Sequence, residues 1–147
     1  MTSIGFGTWA WGNKVLWGYR SEQQDDVLQN TFNEAVNQGL KFIDTADSYG
    51  IGNLNGRSEE LLGKFFKKLP PSKHKNLIVA TKLAPYPWRL GRKGFKSAFN
   101  ASKTRLQGKL DRVQLHWSTA RYAPWQEVQL MEGIADLYES GFIPQIG

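Results

Sequence analysis

Leu77-Ile78-Val79-Ala80-Thr81-Lys82-Leu83 is an apolar, β-branched run interrupted near its end by a single lysine. Such a run reads as a strand buried on both faces, the signature of a parallel sheet covered by helices. Upstream, a helical pattern opens at Ser58 with Glu59 and Glu60 in its first turn. It carries Leu61, Leu62, Phe65 and Phe66, and stops before Pro70-Pro71. Downstream, Phe95, Phe99, Ser102 and Leu106 recur at helical spacing as far as Gly108, after which Arg112 to Trp117 reads as strand again. Strand, helix and strand in that order require a crossover and hence parallel pairing.

The same alternation extends both ways. Ile4 to Trp9 and Lys41 to Thr45 read as strands, separated by a helix that opens with Ser21 as N-cap and Gln24 three residues on. That helix runs through Leu28, Phe32, Ala35 and Val36 to Gly39. A fourth helix opens with Pro124, follows Val128, Met131, Ile134 and Tyr138, and ends at Gly141, leaving Phe142 to Gly147 as the start of another strand. The strand ends Thr8, Asp44, Lys82, His116 and Ile146 are 36, 38, 34 and 30 residues apart. This even βα repeat predicts an α/β fold: a partial (β/α)8 TIM barrel of about four βα units plus the start of strand 5. A whole barrel takes about 250 residues, so residues 1–147 are expected to be the N-terminal half of one domain.

Composition narrows the class. The chain has 147 residues, 40% hydrophobic and 22% charged, with no cysteine, which fits one ordinary core and excludes a disulfide scaffold. No apolar run approaches the roughly 18 residues a membrane span needs, and the first residues lack a secretory signal. The expected location is the cytoplasm. Lys plus Arg exceed Asp plus Glu by 19 to 13. The excess lies between Lys64 and Lys75 and between Arg89 and Arg112, interleaved with helical apolar positions, which reads as a solvated outer face. No element for reading bases accompanies it, so no nucleic-acid partner is expected. His74 has no second ligand near it, and no metal site is expected.

Gly5-Phe6-Gly7-Thr8-Trp9-Ala10 fits G-x-G-x-x-A, yet no helix follows it, which argues against a dinucleotide-binding Rossmann turn. The informative pattern is positional. Asp44, Lys82 and His116 sit at the C-terminal ends of three successive strands, ends that share one rim in a parallel barrel. Tyr49 follows Asp44 in the loop Asp44-Thr45-Ala46-Asp47-Ser48-Tyr49-Gly50 and can fold over the same rim. A phenol beside a cation becomes a usable proton donor near neutrality.

This set resembles the Asp, Tyr, Lys and His tetrad of the aldo-keto reductases. Asp44 and Tyr49 match the family's D-T-A-x-x-Y-G segment, Lys82 its A-T-K and His116 its Q-L-H-W. Gly5 to Trp9 and Gly56-Arg57-Ser58-Glu59-Glu60-Leu61-Leu62-Gly63 match further segments. Trp9 to Asn13, Pro85 to Leu90 and His116 to Thr119 look closest to the plant and cyanobacterial branch of the family that includes reductases of pyridoxal, a resemblance that implies the plastid stroma as the location if a full-length precursor carries a transit peptide. The resemblance implies reduction of an aldehyde or ketone by NADPH. Tyr49 would protonate the oxygen, Lys82 would lower the Tyr49 pKa, Asp44 would hold Lys82, and His116 would orient the carbonyl. It implies cofactor contacts from Gly7, Thr8, Trp9 and Asp44, and a small-molecule carbonyl substrate held by Trp11, Tyr49, His116 and Trp117. A second expectation is a catalytically silent half-barrel acting as an interaction module, and separately the chain is expected to self-associate through its open barrel edges.

Overall fold

In the computed structural model, which describes residues 4–50 and 56–147, five strands alternate with helices: β1 (Gly5–Gly7), β2 (Phe42–Asp44), β3 (Ile78–Leu83), β4 (Arg112–Leu115) and β5 (Gln145–Ile146). All pairings are parallel and the spatial order is β1-β2-β3-β4-β5. A doubly wound sheet would reverse direction at a switch point. Here each strand pairs with the next in sequence, which is barrel order, and the chain forms a partial (β/α)8 barrel. The crossover helices are α2 (Ser21–Asn37), α3 (Arg57–Lys67), α5 (Gly91–Arg105) and α6 (Pro124–Glu139). Two single-turn helices that the periodicity did not predict, α1 (Lys14–Trp17) and α4 (Pro71–His74), sit in the connections. Among the described residues no helix is long and apolar enough to cross a membrane.

The strands are shorter than their apolar runs suggested, but the ladder continues past them. Thr45 N–H donates to the Ala80 carbonyl at 2.9 Å, Asp47 N–H to Lys82 at 3.0 Å and His116 N–H to Leu83 at 3.0 Å. The core lies between sheet and helices, where Ile43, Val79, Leu83 and Val113 meet Phe32, Leu61, Leu62, Phe65, Phe95 and Phe99, all buried. The opposite face carries Phe42 under the Arg112 guanidinium, which donates to the Gln145 side chain at 2.7 Å.

Three local expectations shift. The first helix begins one residue earlier than a Ser21 cap implies: Arg20 is the N-cap, and Gln24 reaches back to its N–H at 3.0 Å. The buried face of α6 is Gln126, Leu130, Gly133, Ile134 and Leu137, leaving Val128, Met131 and Tyr138 exposed. Only Ile134 of the predicted stripe faces the core, because the helix is rotated to seat Gly133 against Phe95 on α5. Finally, part of the basic excess points inward. Arg89 pairs with buried Asp47, and Arg105 Nε lies 2.7 Å from buried Glu59.

Candidate active site

Parallel strands in register bring the predicted polar residues to one rim. Gly7 pairs with Asp44 and Asp44 with Ala80, so Lys82 stands two residues further along β3 and its long side chain reaches back. Its ammonium donates to the Asp44 carboxylate, to the Thr45 carbonyl oxygen at 3.3 Å and to the Tyr49 hydroxyl at 3.4 Å. The Tyr49 ring meets the His116 ring edge-on, with centroids 5.6 Å apart. Asp44, Tyr49, Lys82 and His116 are therefore one cluster, each partly open to solvent. Burial, with the Lys82 charge as a second cause, holds the His116 imidazole below the ordinary histidine range, so it is neutral near pH 7.

The loop that delivers Tyr49 is tied down by a buried carboxylate. Asp47 accepts the Ala84 N–H at 3.1 Å and pairs with Arg89, which also donates to the Ala84 carbonyl at 2.6 Å. Burial pushes the Asp47 carboxyl up despite the guanidinium beside it. This clamp fixes the segment after β2 to the segment after β3, which carries Tyr86 and Trp88. Those two rings stack at 4.6 Å, and the Trp117 ring stands edge-on to Tyr86 at 6.1 Å. Trp117 also touches His116, at 4.9 Å between centroids, and its indole N–H donates to Tyr122 at 2.8 Å. Tyr86, Trp88 and Trp117 form an aromatic wall beside the tetrad.

Two residues expected to make ligand contacts, Trp11 and Thr8, are buried. The Trp11 ring is buried in the core against Phe6, Phe32 and Phe65, so it packs the barrel rather than lining a pocket. Thr8 is fully buried, and its hydroxyl closes a triangle with Thr45 at 2.9 Å and Ser58 at 2.6 Å. Its N–H goes to the Asp44 carbonyl, and its own carbonyl accepts from Trp11 and Ser58, leaving no polar group for a cofactor. Gly7 and Trp9 on either side are exposed, and a Cβ at Gly7 would meet nothing within 4 Å. That bare backbone beside the Lys82–Asp44 pair fits the nicotinamide and ribose end of a dinucleotide.

Sequence reasoning missed Ser48, whose hydroxyl is hydrogen-bonded to His116 Nδ1 at 3.0 Å. It also missed the support beneath the site. Glu59, expected to serve the helix dipole, is wholly buried, accepts from Thr81 on β3 and pairs with Arg105 at the end of α5. The only sequence signals for these were a second Asp in the tyrosine loop and a Ser-Glu pair where either residue could have turned inward.

The model of the Aldo/keto reductase family matches residues 3–147. The chain is 51% identical to the chloroplastic pyridoxal reductase of Arabidopsis thaliana, over 100% of this chain and 41% of that protein. It is 34% identical to the aldo-keto reductase YhdN of Bacillus subtilis, over 98% of this chain and 42% of the relative. A variant of Gox0644 solved in complex with NADPH superposes with a TM-score of 0.70 at 26% identity, over 100% of this chain and 44% of that one. The glycerol dehydrogenase AKR11B4 of Gluconobacter oxydans superposes with a TM-score of 0.75 at 24% identity, over 99% of this chain and 44% of that one, which speaks to the fold alone. The chain thus spans less than half the length of the relatives it matches.

Proposed function

The chain belongs to the aldo/keto reductase family, and from that premise we propose that it carries the catalytic tetrad of an NADPH-dependent reductase of aldehydes or ketones. The observation that carries this reading is the Lys82 ammonium bonded at once to Asp44 and to the Tyr49 hydroxyl, with His116 against the same phenol. Residues 1–147 are then the first half of a (β/α)8 domain. The spans of 41% and 42% of the relatives' lengths support that division.

The residues present fit a nicotinamide cofactor at its reactive end, with Gly7 and Trp9 as exposed backbone and Asp44 beside them. When bound, that cofactor supplies a hydride to the carbonyl carbon. The chain's own residues govern the oxygen. Lys82 is a donor only, so the Tyr49 oxygen accepts from it and the phenol's proton is free to pass to the carbonyl oxygen as charge develops there. The ammonium stabilises the negative charge left on Tyr49, and Asp44 keeps the ammonium in place. Neutral His116 donates a ring N–H to the carbonyl oxygen and fixes its direction. The wall of Tyr86, Trp88 and Trp117 offers ring faces and edges to a flat substrate. Pyridoxal, an aromatic aldehyde, suits that wall, and the 51% identity to a pyridoxal reductase supports it as the first substrate to try. The chloroplastic relative likewise supports the plastid stroma over the cytoplasm as the location.

The test is loss of NADPH absorbance on adding pyridoxal or benzaldehyde to the polypeptide that carries this segment. Turnover abolished in Tyr49→Phe supports the reading. Undiminished turnover in that variant removes Tyr49 as proton donor.

A further inference from the structure

His116 has two ring nitrogens, and only one carries a proton when the ring is neutral. Which one is set by the hydrogen bond that the other makes. In this chain the partner of Nδ1 is the Ser48 hydroxyl at 3.0 Å. Ser48 stands directly before Tyr49 in the loop clamped by Asp47 and Arg89, so its position is fixed relative to the phenol. We propose that Ser48 is a positioning residue that donates its hydroxyl proton to His116 Nδ1, holds the ring as the Nε2–H tautomer, and so leaves Nε2–H for the carbonyl oxygen. The role of the Nε2 proton rests on the carbonyl-reduction reading; the tautomer itself does not.

The direction of the Ser48 bond follows from its surroundings. Among the described residues the Ser48 hydroxyl has His116 Nδ1 as its one hydrogen-bond partner. A hydroxyl carries one proton, and with no other acceptor bonded to it that proton goes to Nδ1. The charged groups nearest His116 are Lys82, which opposes a second ring proton, and Asp44, which favours one. Burial adds to the opposition, and the ring stays neutral. Tautomer choice therefore matters at working pH. The reverse arrangement, with Nδ1 protonated, would turn a bare Nε2 lone pair toward the carbonyl oxygen, two acceptors facing each other.

The chain has two histidines, His74 and His116, so a long-range proton–nitrogen NMR spectrum of the ¹⁵N-labelled protein near pH 7.5 resolves both rings. His116→Gln assigns the second. The expected result is an unprotonated Nδ1 and a protonated Nε2 for His116. In Ser48→Ala the Nδ1–H population should rise by about threefold to tenfold, the weight of one net hydrogen bond. Ser48→Thr, which keeps the hydroxyl, should restore the wild-type spectrum. If Ser48→Ala fails to fold, Ser48→Cys preserves the volume with a weaker donor and should show a smaller shift in the same direction. A wild-type ring protonated at Nδ1 overturns the proposal, as does a folded Ser48→Ala protein with the wild-type tautomer ratio. A protein that shows the expected tautomers yet reduces no carbonyl compound sinks the functional reading and leaves Ser48's role intact.

Discussion

The Lys82 ammonium lies 3.4 Å from the Tyr49 hydroxyl and has no proton to spare for any other partner. Its remaining two protons go to the Asp44 carboxylate and the Thr45 carbonyl oxygen. Since an ammonium only donates, the phenol must accept, and its own proton turns toward the open rim. The chemistry assigned to Tyr49 depends on that one-way relationship.

Replacing Tyr49 by Phe removes the proton donor and is expected to leave the fold intact, because Tyr49 is only partly buried. The expected loss in kcat/KM is about 10²–10⁴-fold, the usual weight of a general acid. Lys82→Met should fall in the same range, because the phenolate then forms without its cation. Steady-state NADPH oxidation and a thermal melt on each variant separate lost chemistry from lost folding.

Wholly buried Glu59 pairs with partly buried Arg105 beneath the rim, so losing the guanidinium strands a carboxylate in the core. Arg105→Ala is expected to destabilise the fold by about 3–5 kcal/mol. The double variant Glu59→Gln with Arg105→Met should recover a large part of that. Urea unfolding curves give both numbers, and a single-variant cost near zero would mean the pair contributes no more than a surface contact.

A side chain at Gly63 has nowhere to go. A Cβ built there lands on the Arg105 carbonyl, which is backbone and cannot swing away. Gly63→Ala should cost about 1–3 kcal/mol through forced separation of α3 and α5. This runs against the helix-propensity gain of alanine over glycine. A variant as stable as the wild type in chemical denaturation would show that the two helices can part without loss.

His116 is held neutral by burial and by Lys82. A depressed folded pKa means that the unfolded chain binds the proton more readily. Stability from this residue is therefore present above the ordinary value of about 6.5 and is lost as the pH falls below it. Following the His116 ring protons by NMR should give a midpoint below about 6.5, and His116→Gln should flatten the fall in stability as the pH drops below that value. A midpoint above 6.5 would contradict the burial argument.

Among the described residues the sheet ends in two edge strands, β1 and β5, each paired on one side only, with Ile4, Trp9 and Ile146 exposed near those edges. Open edges with apolar neighbours invite pairing between copies. The isolated 147-residue chain is expected to sediment as dimers or larger species at micromolar concentration. Lysine substitution at Ile146 should shift the distribution toward monomer. A wild-type chain that stays monomeric would remove the self-association reading.

Strand and helix order, the parallel sheet and the shared rim were all legible in the sequence. Each depends on local periodicity and on side chains alternating along a strand, which a linear pattern records. Asp44, Lys82 and His116 stood out because apolar strands rarely end in charge or imidazole, and Tyr49 because its loop is short enough to stay near them. What the sequence could not say is where a side chain turns when two directions are equally allowed. Trp11 has the same local signature as a pocket residue, and only the arrival of Phe32 and Phe65 from two different helices makes its place the core. The Thr8 hydroxyl is engaged by those of Thr45 and Ser58, separated from it by 37 and 50 residues. The rotation of α6 and the pairs Asp47–Arg89 and Glu59–Arg105 are likewise long-range. Ser48 gains its meaning only because β4 delivers His116 from 68 residues away to within 3.0 Å. Such partners are chosen by the closing of the sheet and the packing of helices over it, and no window of neighbouring residues contains that information.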